Sequence, residues 1–327
     1  MILCFLLLHP LPAVAQRVPF GPFETRDEFP VKLLFLSLRP DRAGLRPPGT
    51  LRLAGRFAYA NTYAVTRPVG NPTVPLDYYQ AAPLSEYRLF VDAEVLRASF
   101  DIDWSPSARW QLGAEVPFLI QGGGYLDRTV EGFHHLFRLS NGGREQTPRN
   151  AYGVFVVRSG RFWIAHDQPP AAGLGDVVLR VKTAVITPHG RRPALSWLGA
   201  LKLPTGQFDR LTGSGGTDAQ VALLLTQPIG ASFILHYNVG YTHIGRPARS
   251  AGFPVRSITS HLLAAEYLAT RRLSVILQAL ANTSLFPAGR LGPLDRTAYE
   301  LHAGVKYALT PSILLDIGLM ENLSQYQ

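Results

Sequence analysis

From Leu51 onward the chain alternates. Leu51, Leu53, Phe57, Tyr59 and Tyr63 fall on one side of an extended segment, and Arg52, Arg56 and Thr62 fall on the other. Period two is the spacing of a β-strand with two unlike faces. The pattern recurs over 51–63, 86–103, 110–119, 174–186, 194–203, 218–226, 231–243, 257–269, 272–281, 298–309 and 312–322. Segments of about ten residues are long enough to cross a membrane as tilted strands. In 86–103 the apolar face changes phase: Tyr87, Leu89, Val91, Ala93 and Val95 lead, then Leu96, Ala98, Phe100, Ile102 and Trp104 take over. That slip predicts a β-bulge at Val95–Leu96.

The connections alternate as well. Short ones fall at 104–109, 187–193, 227–230, 270–271 and 310–311, and long ones at 64–85, 120–173, 204–217, 244–256 and 282–297. This parity predicts an all-β fold, a transmembrane antiparallel β-barrel with short periplasmic turns and long outer loops. Within 120–173, Leu126, Val130, Phe133 and Phe137 recur at helical spacing and predict one short loop helix near 127–139. Tyr152–Arg158 and Arg161–Ala165 predict a hairpin across Ser159-Gly160.

The eleven crossings are an odd number. Single-chain bacterial barrels have even strand numbers, and an open sheet edge in lipid is prohibitive. The expectation is a barrel of about 12 strands when complete, with 11 present and a last strand following Gln327. Fourteen is the alternative if the hairpin joins the wall.

Ahead of the strands, Ile2–Leu8 and Ala13-Val14-Ala15 read as a signal peptide over 1–15. It contains the chain's one cysteine, Cys4, so disulfide and thiol chemistry are excluded from the rest. Residues 16–50 form a proline-rich N-terminal segment, periplasmic or plug-like, with Val31–Leu38 apolar on both faces as a plug or rim strand. The remainder, 51–327, is the barrel.

Hydrophobic residues make up 46% of the chain, yet no run reaches the 18 or so apolar residues of a helical span. The net charge is +9, and only four of the 32 basic residues are lysine. No basic helix, zinc spacing or aromatic platform accompanies that charge, so nucleic acid is excluded as a partner. Anionic lipopolysaccharide, outer-membrane lipid and the membrane's assembly machinery are the partners expected. On the polar faces, Arg52, Arg56, Arg88, Arg97, Arg180, Lys182, Lys202 and Lys306 stand against Asp92, Glu94, Asp101, Asp103, Glu115, Asp218, Glu266, Glu300 and Asp316. So even a balance predicts a narrow or plugged lumen paired across its width.

Enzyme chemistry finds little support. Glu131, His134 and His135 share a helix face, but no second cluster completes a metal site, and no cofactor is expected. Gly213-Ser214-Gly215-Gly216-Thr217-Asp218 lacks the lysine of a phosphate loop and leads into a strand, so it reads as a flexible loop. An outer-membrane hydrolase needs serine and histidine side by side, whereas His261 and Ser260 point to opposite faces.

Several runs resemble a family of Gram-negative outer-membrane barrels known only as a domain of unknown function. They are Gly123-Gly124-Tyr125-Leu126-Asp127, Glu131-Gly132-Phe133-His134 with Phe137, Gly142-Gly143-Arg144, Leu201-Lys202-Leu203-Pro204-Thr205-Gly206, and Gly213–Asp218. Thr25-Arg26-Asp27-Glu28-Phe29-Pro30 is also similar, with Asp27-Glu28 where asparagine-glutamine is expected. The Lys202–Gly206 run further resembles outer-membrane transporters of phenol-degradation pathways. The resemblance implies the cell outer membrane and no established reaction. It points to Asp127, Glu131, His134 and Arg144 as residues that hold loop 120–173 as a constriction. The function expected is non-enzymatic: passage or binding of a small solute, with the wall cations Arg52, Arg56, Arg88, Arg97, Arg180, Lys182 and Lys202 as further binding candidates. A lipid-acting hydrolase and a structural or adhesin-like barrel are the alternatives.

Overall fold

The computed structural model describes residues 2–7, 19–66, 87–144, 147–158, 161–248, 254–287 and 294–323. The cleavage site at Ala13–Ala15 and the hairpin tip Ser159-Gly160 lie outside them. The strands are β1 (Ile2–Leu7), β2 (Leu51–Val65), β3 (Tyr87–Trp104), β4 (Trp110–Gly122), β5 (Gly153–Arg158), β6 (Arg161–His166), β7 (Gly173–Leu174), β8 (Val178–Ile186), β9 (Ala194–Lys202), β10 (Asp218–Ile229), β11 (Phe233–His243), β12 (Ile258–Leu268), β13 (Leu273–Asn282), β14 (Ala298–Thr310) and β15 (Ile313–Asn322). Among the described residues one α-helix, α1 (Asp127–Phe137), sits in the longest loop. Each of the eleven crossings expected from alternation is a strand.

Antiparallel pairing runs from β1 through β2, β3, β4 and β8, continues through consecutive neighbours to β15, and returns to β1. Among the described residues the ring has twelve strands, each paired with a neighbour on both sides. About twelve strands are expected from the sequence, eleven of them from Leu51 onward; the twelfth position is taken by Ile2–Leu7, antiparallel to both β15 and β2. Those residues also belong to the 1–15 segment expected to be a signal peptide. β1 is short, and its pairing starts at Ile2, opposite Ala60 and Met320.

The hairpin β5–β6 does not add crossings. β5 pairs with β3 over Tyr87–Asp92, where β3 has run past the end of β4, and so extends the wall above the mouth. Nor does β3 bulge. Its register with β2 is continuous from Val65↔Phe90 to Leu51↔Trp104. The apparent slip is an exchange of polarity between two faces that keep their phase. The inward face is apolar at the top (Leu89, Val91, Ala93, Val95) and polar below (Arg97, Ser99, Asp101, Asp103); the outward face changes in the opposite sense, from Asp92 and Glu94 to Phe100, Ile102 and Trp104.

Below that level the outward surface is apolar around the ring: Leu53, Phe100, Ile102, Val116, Val221, Leu263, Leu277, Leu301 and Leu319 are all exposed. Exposed aromatics mark both ends of the band. Trp104, Trp110, Phe233 and Tyr267 lie towards the short turns, and Tyr241 and Tyr299 towards the long loops. An apolar belt between aromatic girdles is the surface of a barrel standing in lipid.

Val31–Leu38 forms no strand. It holds a 3-10 turn at Lys32–Leu34, and Val31, Leu34, Phe35, Leu36 and Leu38 are buried.

Candidate functional site

Residues 19–50 run through the lumen as an arch with both feet at the short-turn rim. A coil inside a barrel has no neighbouring strand to satisfy its peptide groups, so wall side chains must do so. On the ascending limb, the Phe20 and Gly21 N–H groups donate to the Glu266 carboxylate at 2.9 and 3.0 Å. Phe23 N–H donates to Gln278 at 2.8 Å, and Lys306 donates to the Pro22 carbonyl at 2.8 Å. On the descending limb, Asp41 N–H donates to Asn238 at 3.0 Å, Ala43 N–H to Thr226 at 2.9 Å, and Ser196 to the Ala43 carbonyl at 2.6 Å. Gly49 N–H reaches the Ser105 carbonyl at 2.8 Å in the turn after β3. The apex is apolar: Phe29, Val31, Leu34 and Phe35 join Leu89, Val91, Val154, Val156, Trp163 and Phe286 in a core that fills the mouth. This explains why the upper interior of β3 is apolar.

Below the apex lies a buried layer of charge. Glu24 binds Arg52 at 2.9 Å, Arg56 at 2.7 Å and Arg39 at 3.2 Å. Arg97 forks onto Glu28, with its Nε at 3.1 and 3.0 Å from the two oxygens. Arg26 reaches Glu115 at 3.1 Å, and Arg180 reaches Asp101 at 2.9 Å and Glu115 at 3.1 Å. Lys182 binds Asp41 of the arch at 2.6 Å. Burial alone would raise the Glu24 carboxyl, but Arg52, Arg39 and Arg56 outweigh it and hold the group well below its usual range. Of the wall cations expected in the lumen, Arg52, Arg56, Arg97, Arg180, Lys182 and Lys202 are there and buried. Arg88, Asp92 and Glu94 are corrections, since they share the outward register of β3.

Two motifs meet at one knot beneath the apex. Lys202 binds Asp176 at 2.6 Å, Asp218 at 3.2 Å, the Ser214 hydroxyl at 2.7 Å and the Leu34 carbonyl at 2.9 Å. Asp218 in turn accepts from Leu36 N–H at 2.8 Å and Gly245 N–H at 2.9 Å. Gly206 N–H and Ser214 N–H close onto Asp176 at 2.8 and 3.2 Å. The Gly213–Asp218 run is therefore a buried clasp on the arch, not the flexible loop expected.

The loop helix stands elsewhere. Asp127, buried, accepts from Asn61 at 2.7 Å and from Asn150 N–H at 2.6 Å, and pairs with Arg144, which also pairs with Asp92. Burial tends to lower the Arg144 pKa, but Asp92 and Asp127 raise it overall. His134 contacts Asn141 at 3.0 Å and Glu321 at 3.4 Å, while Glu131 pairs with Arg149 on the exposed flank. Glu94 receives the N–H groups of Tyr125 and Leu126 at 3.1 and 2.6 Å, placing a carboxylate at the start of α1, where the helix dipole favours it. Asn61, Tyr63, Asp92, Glu94 and Glu321 all belong to the outward register of β2, β3 and β15. So α1 packs against the outside of the wall above the apolar belt, over the seam where β1 begins. Asp127, Glu131, His134 and Arg144 border a cleft of only about 50 Å³ there, and do not constrict the lumen. Among the described residues no cluster of histidine, cysteine and carboxylate side chains is arranged to hold a metal.

Sequence reasoning missed the arch's own charges, Glu24, Arg39, Asp41 and Arg46. Their signal was nine charged residues within 24–46, in a stretch with neither strand nor helix period.

A family profile described as "Protein of unknown function (DUF3187)" matches residues 2–327. The chain belongs to that family. No curated protein matches it. Among solved structures, it is similar to the COG4313 outer membrane channel from Pseudomonas putida F1, at 10% identity and a TM-score of 0.46, covering 88% of this chain and 100% of that one. It is also similar to the P. putida toluene transporter TodX, at 9% identity and a TM-score of 0.35, covering 83% of this chain and 77% of that one.

Proposed function

We propose that this protein is a non-enzymatic barrel of the cell outer membrane that passes or binds a small solute, and that the arch is its gate. The belt and girdles support the location, with lipid and lipopolysaccharide against the wall and assembly machinery as the partner that inserts it. One observation carries the gate. The arch is held by side-chain hydrogen bonds and ion pairs, not by strand pairing, and both limbs end at the same rim. It can leave the lumen without breaking one rung of the wall.

A disulfide between Asp41→Cys and Asn238→Cys, in a Cys4→Ser background, tests this. Reconstituted protein is expected to carry no KCl current when oxidised and to recover it on adding reductant. Equal conductance in both states overturns the gate.

A hydrolase is not favoured. The described hydrogen-bond partner of His261 is the Tyr237 hydroxyl at 2.9 Å, and Ser260 faces inward to Asn282 at 2.6 Å.

A further inference from the structure

We infer that the gated solute is a carboxylate, and that Glu24 and Glu28 of the arch occupy its place on Arg52, Arg56 and Arg97. This deepens the passage reading above and rests on it.

The inward charges of the described wall are unevenly placed. Strands β2, β3, β4 and β8 carry Arg52, Arg56, Arg97, Arg180 and Lys182 against Asp101, Asp103 and Glu115, five positive against three negative. Strands β9 to β15 carry Lys202 and Lys306 against Asp218, Glu266, Glu300 and Asp316, two against four. The arch brings Glu24, Glu28 and Asp41 to the basic side together with Arg26, Arg39 and Arg46, three of each sign, so the wall's own excess of two positive charges persists there. Glu24 spans Arg52 and Arg56 with one oxygen on each, at 2.9 and 2.7 Å, and Glu28 meets the edge of Arg97 with both oxygens. A guanidinium binds a planar carboxylate through two parallel bonds, a geometry that a neutral or cationic group does not satisfy.

When the arch withdraws, it takes Glu24, Glu28 and Asp41 with it, and Arg26, Arg39 and Arg46 as well. The half-wall left behind has two more positive than negative charges, in a low-dielectric cleft that focuses its field. Arg52, Arg56 and Arg97 then keep the wall carboxylates Asp103, Asp101 and Glu115 but lose Glu24 and Glu28, and a solute carboxylate entering that side takes the vacated positions. The arch and the solute therefore compete for the same arginines. An anionic solute favours the open state, and a neutral one of equal size does not.

Two measurements test this with gluconate as the carboxylate probe and sorbitol as its neutral counterpart. The first is flux into proteoliposomes. Wild type is expected to pass gluconate several-fold faster than sorbitol. The variant Arg52→Gln/Arg56→Gln/Glu24→Gln, which removes two positive charges and the carboxylate that bridges them, should lose that preference while still passing sorbitol, and retained preference in a folded, heat-modifiable barrel overturns the site. The second is equilibrium binding to detergent-solubilised protein. Glu24→Gln/Glu28→Gln, with its competing carboxylates gone, should bind gluconate more tightly than wild type does. Equal binding overturns the inference even if both solutes pass. Stronger binding with no passage of either solute upholds the arginine site and overturns the gate.

Discussion

The Lys202 ammonium donates to the Leu34 carbonyl at 2.9 Å, so a wall strand grips the arch at its apex. The same nitrogen is shared with Asp176 and Asp218, both buried. Lys202→Met would leave two buried carboxylates without their cation, a loss of about 3–5 kcal/mol for a broken buried pair. The apex should loosen before the wall does. Trp163, tilted against Phe208 at 5.4 Å and edge-on to Phe286 at 5.6 Å in the mouth core, reports it. In urea, Trp163 fluorescence in K202M is expected to change at lower denaturant than the β-sheet signal; coincident transitions in the variant would contradict the coupling.

The turn into α1 depends on Gly124. Its φ is +62°, a region costly for other residues, and a Cβ there would overlap the Glu94 carboxylate that receives Tyr125 and Leu126. Gly124→Ala should undock the helix and leave the barrel closed below it. Limited proteolysis near Arg138, followed on a gel, should show faster cleavage than in wild type with unchanged heat modifiability. A wild-type cleavage rate would show that the turn tolerates the methyl.

How much of this was legible follows from which surroundings a residue faces. Strands between lipid and a polar lumen must alternate, so Phe233–His243 or Ala298–Thr310 could be placed from sequence alone. β3 misled because it runs above the lipid into a region where the interior is apolar core and the exterior is buried ion pairs. There Val91 faces in and Asp92 faces out, the reverse of the rule below. For the same reason α1 could be found by its period, while the side of the wall it occupies could not. The arch was hidden for another reason. It has no backbone period, because its peptide groups bind side chains such as Glu266 and Asp218 that lie far from it in the chain.

Acid should weaken the arch through Glu24. Its folded pKa lies below the unfolded value of about 4.5, so its contribution is complete above that pH and declines as pH falls towards the folded value. The thermal midpoint of Glu24→Gln is therefore expected to lie below that of wild type at pH 7, with the gap narrowing at pH 3. A gap that stays constant across that window would mean that the carboxylate's charge is not what Arg52 and Arg56 use.

The belt makes a depth-dependent prediction. Phe100 is 60% exposed on the outward face of β3, within the apolar band, whereas Leu136 is 74% exposed on α1, above it. Phe100→Arg places a cation against hydrocarbon and should cost about 2–4 kcal/mol if it lies near the midplane. Leu136→Arg places the same group in water, where surface changes stay within about 0.5 kcal/mol. Reversible unfolding in lipid vesicles measures both. Equal losses would place α1 in the bilayer, and no loss at Phe100 would mean that the belt faces something other than lipid.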